Sequence, residues 1–317
     1  MQDILTVTLN PAVDLSTTAP SVVAGHKLRC ATPEFSAGGG GINVSRAIRI
    51  LGGHSRAFVV AGGNAGQRLQ TLLADEGIAE IAHPAPGETR TNVAVISDET
   101  GKQFRFVMPG PTWSSADCKQ LLTRLNAMTN RAGLLVLSGS LAPGMPRDFA
   151  RTIIASLQDT GPSIICDISG EPLHDLCSGP NPGLAVLRMD LDESEDIHGA
   201  PLPTREDSAR FAENLVKRGV AETVIVARGP DGSILASEDG CLHASALDVP
   251  IDSKVGAGDS FVGAFTLARA AGEPLATALQ HGTTAATAAV TTPATELCRK
   301  SDFTRYLPDC SLSEIHL

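Results

Sequence analysis

The sequence predicts an α/β protein built on a mostly parallel central sheet covered by helices. Two observations carry this. Apolar, strand-length runs at 134–137, 164–167, 184–187 and 224–226 are separated by helix-period patterns over 116–128, 147–157 and 205–217. Such alternation calls for right-handed βαβ units. Aromatic residues make up only 3% of a chain that is 42% hydrophobic. The core is therefore filled by Ala, Val, Leu and Ile, as in parallel sheets buried on both faces.

The elements follow in order. A strand over 4–9 ends in the turn Asn10-Pro11-Ala12-Val13-Asp14 and presents an acid at a strand end, where open α/β sheets carry ligand groups. Residues 15–35 show no helical period, hold the basic pair Lys27 and Arg29, and read as short strands away from the main sheet. The run Ser36-Ala37-Gly38-Gly39-Gly40-Gly41-Ile42-Asn43-Val44 leads into a helix through Ala47, Ile48 and Leu51 that Gly52-Gly53 closes. A buried strand at 57–61 precedes an amphipathic helix at 67–76. Strands at 91–96 and 103–107 flank Ser97-Asp98-Glu99-Thr100-Gly101-Lys102, a hairpin signal. With the segment around Lys27 they make a small separate sheet. After the regular alternation, helices cover 260–271, 275–291 and 303–307. No internal repeat or low-complexity linker divides the 317 residues, so one domain over 1–317 with a small appended sheet is expected.

A formal net charge of -10 argues against a nucleic-acid partner, because a face for a phosphate backbone needs a basic surplus. No apolar run reaches the roughly 18 residues a membrane span needs, and Met1-Gln2-Asp3-Ile4 is no signal-peptide start, which points to the cytoplasm. The 7 cysteines are scattered without a Cys-x-x-Cys pair, against structural disulfides or a zinc site.

One stretch concentrates chemistry: Lys254-Val255-Gly256-Ala257-Gly258-Asp259-Ser260-Phe261 joins a turn of small residues to an apolar helix start. Glycines let backbone N–H groups approach an anion at the positive end of the helix dipole. Asp259 beside them suits a proton acceptor in phosphoryl transfer. It equally suits a helix cap. Other residues carry plain alternatives too. Asp14 fits a turn acid, Lys27 and Arg29 a solvated strand face, Gly38–Gly41 a flexible loop, and Ser138-Gly139-Ser140 a tight turn.

The early glycine run and the late glycine turn, in that order on a βα-alternating chain, resemble the two signature regions of the ribokinase-like, or PfkB, carbohydrate kinases. Lys27-Leu28-Arg29-Cys30, Leu51-Gly52-Gly53, Thr89-Arg90-x-Asn92, Arg105-Phe106-Val107-Met108-Pro109-Gly110 and Ser138-Gly139-Ser140-Leu141 extend the resemblance over essentially the whole chain. They bring it nearest the branch that phosphorylates fructose 6-phosphate. The resemblance implies a ribokinase-like three-layer α/β/α sandwich, with a β-sheet lid built from about 15–35 and 87–109 that also joins two subunits as a homodimer. It implies transfer of the ATP γ-phosphate with magnesium to the 1-hydroxyl. Asp259 would be the base, and the N–H groups of Gly256, Ala257 and Gly258 would hold the phosphoryl. Asp14, Gly38, Gly39, Asn43 and Ser140 match sugar contacts, and Lys27, Arg29 and Arg90 match the basic residues around the substrate's phosphate. Arg188, Ala227, Arg228, Gly229 and Gly232 fall on the nucleotide side. Asp190 and Glu193 would order magnesium through water, and the resemblance leaves open a potassium ion beside the late loop.

Departures cluster on the nucleotide side. Where the family has Lys-Pro-Asn with Glu three residues on, this chain has Arg188-Met189-Asp190 and Glu193. Loss of the Pro should loosen a turn there, and the added carboxylate should either strengthen magnesium binding or repel the phosphates. Ala227 lacks the family's Ser hydroxyl, and Arg228 either compensates with charge or points into solvent. Thr291-Thr292-Pro293-Ala294-Thr295 replaces an Asn- and Gly-containing loop. A 6-phosphofructokinase is thus expected. The competing readings are a kinase for fructose 1-phosphate or tagatose 6-phosphate, and a sugar-phosphate-binding regulator with weakened catalysis.

Overall fold

A computed structural model of the chain describes residues 1–129, 133–158, 161–293 and 296–317. The chain begins β1 (Ile4–Thr8), β2 (Ala12–Ala19), β3 (Glu34–Gly38), α1 (Gly40–Ile50), β4 (Arg56–Ala61), α2 (Gly63–Asp75) and β5 (Ala79–Pro84). It continues with β6 (Arg90–Ser97), β7 (Gln103–Phe106), α3 (Ser115–Thr129), β8 (Leu134–Ser138), α4 (Phe149–Leu157), β9 (Ser163–Asp167) and α5 (Glu171–Cys177). Then come β10 (Leu184–Asp190), α6 (Leu191–His198), α7 (Arg205–Lys217), β11 (Thr223–Ala227), β12 (Ser233–Ser237) and β13 (Gly240–Ala244). The last elements are α8 (Ala257–Ala270), α9 (Leu275–Val290), α10 (Lys300–Tyr306) and β14 (Leu312–Ile315).

The main sheet has ten strands in the order β14-β13-β12-β11-β10-β9-β8-β1-β4-β5. From β5 to β11 the pairing is parallel; β12, β13 and β14 add antiparallel pairs at one edge. Alternate strand residues face opposite layers. Leu5, Val7, Leu135 and Leu137 pack with Leu121, Ile153 and Phe211 of α3, α4 and α7, whereas Ile4, Leu134 and Val136 pack with Val44, Phe261 and Leu279 of α1, α8 and α9. The result is a three-layer α/β/α sandwich. Among the described residues no helix is long and apolar enough to cross a membrane.

The second sheet, ordered β3-β2-β6-β7, stands apart. Its hairpin of β6 and β7 is antiparallel as predicted, β3 pairs antiparallel with β2, and β2 with β6 is parallel. One expectation is corrected here. Lys27 and Arg29 do not alternate on a strand but lie exposed in the irregular stretch between β2 and β3. Gly25 at φ 80° turns the chain, and Pro20 and Pro33, which lack an N–H for a ladder, flank the segment.

Small residues set the distances between layers. A Cβ on Gly41 would lie 2.6 Å from Val7 O, one on Gly40 2.6 Å from Gly139 N, and one on Gly263 2.7 Å from Ala47 Cβ. The glycine run is therefore the packed seat of α1 on the ends of β1 and β8 rather than a flexible loop, and Gly263 lets α8 close on α1. A second correction concerns β10, which does not break after Leu187. Arg188, Met189 and Asp190 continue the ladder against Ile225, Val226 and Ala227. With Met in place of Pro the backbone keeps its donor and buries the side chain, so the strand lengthens instead of loosening.

Candidate active site

The start of α1, the loop that leads into α8 and one face of the small sheet meet around a cleft that opens to solvent. Asp14, Asn43, Asn92, Val255 and Gly256 are among its walls.

Gly256, at φ 79°, is the N-cap of α8 and has no side chain to offer a capping bond, while Ser260 is the first residue whose N–H returns to the helix, donating to Gly256 O at 2.9 Å. The N–H groups of Ala257, Gly258 and Asp259 precede that first helical bond. Asp259 sits in this first turn, but its carboxylate is not spent on capping. Oδ2 accepts from Asn43 Nδ2 at 2.9 Å. Burial, and after it the charge of Asp167, push the Asp259 carboxyl up to about 7; the Asn43 hydrogen bond and the charges of Arg188 and Arg46 oppose the rise.

Behind the turn, Asp167 at the end of β9 holds Arg188 of β10 in an ion pair at 3.0 Å and accepts from Ser138 Oγ at 3.3 Å. A Cβ on Gly258 would lie 3.0 Å from Arg188 Nη1, so the guanidinium lies directly against the glycine turn. Arg188 Nε is buried without a partner, an unspent donor in an anion-friendly place.

Among the residues expected to meet the sugar, Asp14 of β2 accepts from Asn92 Nδ2 at 2.8 Å, and its carboxylate occupies the space a Cβ on Gly38 would need. Gly39, at φ 124°, leads into α1 with Thr8 Cγ2 only 2.6 Å from where its Cβ would be. Arg90, first residue of β6, donates to Asn10 O at 2.9 Å, while its Nε is buried and unpartnered. Burial lowers its affinity for a proton and the Asp14 charge partly restores it. Ser140 Oγ accepts from Asn10 Nδ2 at 3.1 Å. Lys27 and Arg29 form no ion pair among the described residues.

The residues expected on the nucleotide side divide. Asp190 and Glu193 form a reciprocal capping box on α6: Glu193 N donates to Asp190 Oδ1 at 2.9 Å, and Asp190 N to Glu193 Oε2 at 2.8 Å. The box takes one oxygen of each carboxylate and leaves the other to accept from the water shell of a cation. Among the described residues no group of three or more His, Cys, Asp or Glu could hold a metal ion by itself; two carboxylates fit a magnesium ion that keeps most of its water shell. Arg228 neither points into solvent nor has a nitrogen to spare. Its Nε pairs with Asp231, and its Nη atoms donate to Leu202 O, Pro203 O and Ser208 Oγ, which pins the start of α7. Gly229 and Gly232 make the turn after β11, Gly232 N donating to Gly229 O at 3.0 Å. Ala227 ends β11 opposite Ser233. Of the Thr291–Thr295 departure, Ala294 and Thr295 lie outside the described residues.

Sequence reasoning assigned no role to Asn92, Asp167 or Arg46. Asn92 lay inside a quoted motif, and Arg46 shares a helix face with Asn43 three residues away. Asp167 had only its place at a predicted strand end as a signal.

Residues 4–302 match the model of the pfkB family carbohydrate kinases. The chain is 35% identical over 303 residues to an ATP-dependent 6-phosphofructokinase isozyme 2 of Mycobacterium tuberculosis, covering 96% of this chain and 88% of that one. It is 36% identical over 302 residues to the Escherichia coli isozyme 2, covering 95% and 97%. A 1-phosphofructokinase of Bacillus subtilis is 29% identical over 90% of this chain and 91% of that one. Among solved structures, the E. coli phosphofructokinase-2 in complex with potassium superposes with a TM-score of 0.91 at 35% identity, covering 98% and 99%. The same enzyme in complex with fructose-6-phosphate gives 0.89 at 34% identity and the same coverage. A ribokinase of Arabidopsis thaliana, 19% identical, shares the fold with a TM-score of 0.73 over 96% and 98%.

Proposed function

Because this chain belongs to the pfkB family of carbohydrate kinases, we propose that it phosphorylates fructose 6-phosphate at the 1-hydroxyl, with ATP and magnesium, to give fructose 1,6-bisphosphate. The observation that carries the reading is the Asp259 carboxylate. It is held by Asn43 at 2.9 Å in the first turn of a helix whose leading N–H groups remain open to an anion. Identity of 35–36% to 6-phosphofructokinases against 28–32% to 1-phosphofructokinases supports fructose 6-phosphate over fructose 1-phosphate.

In the proposed reaction Oδ2 of Asp259 is engaged by Asn43, and Oδ1 takes the proton of the acceptor hydroxyl. The oxygen so freed forms the new bond to the γ-phosphorus, and the bond to the ADP oxygen breaks with its electron pair leaving on ADP. The N–H groups of Gly256, Ala257 and Gly258, with Arg188 behind them, hold the charge that builds on the phosphoryl oxygens. Asp14, Gly38, Gly39, Asn43 and Ser140 position the sugar. Arg90, with its unspent buried donor, meets the 6-phosphate. Magnesium, held through water by Asp190 and Glu193, would neutralise the phosphates of ATP. Closure of the small sheet over the sugar would exclude water.

The lid also supports a homodimer. Phe104, Phe106, Val107 and Met108 expose apolar side chains on and beyond β7, with Leu28 exposed in the stretch between β2 and β3. A second copy would bury such a patch.

The deciding experiment is an ADP-release panel over fructose 6-phosphate, fructose 1-phosphate and tagatose 6-phosphate, with ATP or GTP, magnesium or manganese, and with or without potassium. Fructose 6-phosphate with ATP should give the highest kcat/KM. Binding of fructose 6-phosphate with no release above an Asp259→Asn control would replace the kinase with a sugar-phosphate-binding regulator, the reading that the changes at Asp190 and Ala227 favour.

A further inference from the structure

Arg46 stands one turn beyond Asn43 on α1 and has no part in the reaction as described. Its Nε donates to Glu76, the residue that ends α2, at 2.7 Å, and its Nη1 reaches Asn43 Oδ1 at 3.4 Å. Arg46 also lines the cleft beside Asn43 and Val255. Both ends of the Asn43 amide are thereby assigned. A guanidinium can only donate, so it takes the amide oxygen, and the NH2 end turns to Asp259 Oδ2 at 2.9 Å. Reversing the amide would set donor against donor and carbonyl against carboxylate, and both bonds would be lost.

We propose that Arg46, clamped by Glu76, is a positioning residue for catalysis that locks the Asn43 amide in the one orientation donating to Asp259. Oδ1 of Asp259 is then left to face the acceptor hydroxyl. The inference rests on Asp259 being the base. The charged and polar groups that act on Asp259 are Asp167 from β9, Arg188 from β10, and Arg46 and Asn43 from α1. Burial and Asp167 favour the protonated carboxyl; Asn43, Arg188 and Arg46 favour the carboxylate. Losing Arg46 removes a cation and frees the amide to turn, and both changes favour the protonated form, which cannot accept the hydroxyl's proton.

The test is the pH dependence of kcat/KM for fructose 6-phosphate, read by ADP release from the full chain and its Arg46→Met, Glu76→Gln and Asp259→Asn variants. Arg46→Met should move the acid limb upward by about half to one pH unit and cost about two- to fivefold at pH 7, most of it regained by about pH 9. KM for ATP should stay within about twofold. Glu76→Gln keeps the guanidinium but loosens its clamp, and should move the limb the same way by less. A uniform loss at every pH with the acid limb in place is what a merely structural role predicts, and it overturns the inference. Glu76→Gln decides alone if Arg46→Met does not fold. Wild-type ADP release that survives Asp259→Asn overturns the base itself, whatever Arg46 does.

Discussion

Asn43 and Asp259, 216 residues apart in the chain, are joined by a hydrogen bond of 2.9 Å between the first turns of α1 and α8. That bond is possible because Gly263 brings the two helices together, with Ala47 Cβ 2.7 Å from where its own Cβ would be. It fixes the orientation of a carboxylate that would otherwise be free to serve the helix end.

Asp259→Asn tests the base. The variant keeps the shape of the site and loses the proton acceptor, so kcat should fall by about 10²–10⁴ with the KM of either substrate little changed. A loss below about tenfold in coupled ADP release would remove Asp259 from that role.

The same residue ties activity and stability to pH in opposite senses. Only the carboxylate can accept a proton, so kcat/KM should rise as pH passes through about 7 and level off above it. Folding raises this pKa above its ordinary value of 3.8, so the native state holds a proton that the unfolded chain releases. The contribution of Asp259 to stability is therefore fully present below about pH 4 and lost as pH climbs toward 7, a cost bounded by about 4 kcal/mol. Asp259→Asn should raise the thermal midpoint more at pH 8 than at pH 5. An equal change at both would mean the carboxyl is not perturbed as described.

Arg90→Ala should raise the KM for fructose 6-phosphate by about 10- to 100-fold, the worth of a charge-assisted pair, while the KM for ATP moves by less than about threefold. Equal effects on both substrates would put the phosphate pocket elsewhere.

Gly41→Ala places a methyl 2.6 Å from both Val7 O and Thr8 Oγ1. Backbone cannot yield as a side-chain tip can, so the variant should lose about 1–3 kcal/mol in urea unfolding. Gly101→Ala, whose Cβ meets nothing within 4 Å, separates packing from backbone strain, because its φ of 66° carries the strain alone.

Phe106→Asp, at a side chain 49% exposed on the lid edge, should turn a dimer at micromolar concentration into monomer in sedimentation velocity. A wild-type protein that sediments only as monomer would remove the lid interface.

Reading from sequence reached furthest where local chemistry repeats in space. The βα alternation, the β6–β7 hairpin and the two glycine turns are periodic or punctuated signals, and each emerged where predicted. It fell short where a residue's role depends on a distant partner. Strands β12, β13 and β14 follow β11 as short antiparallel additions to the sheet edge with no α-helix between β11, β12 and β13, so the strand-helix period did not mark them. Arg228 looked like free charge, because nothing local announces Leu202, Pro203 and Ser208 as the groups that consume its donors.

What the chain determined by itself is the α/β class, the glycine seats of α1 and α8, and the residue types that suit a phosphorylated sugar. Hydrophobic period and the conformational freedom of glycine are properties of neighbours along the chain. Only the tertiary structure decided which oxygen of Asp259 is occupied, that Asp190 and Glu193 cap a helix together, and that Arg46 and Glu76 stand behind Asn43. Hydrogen bonds act over about 3 Å, and sequence carries no record of which distant groups folding brings within that reach.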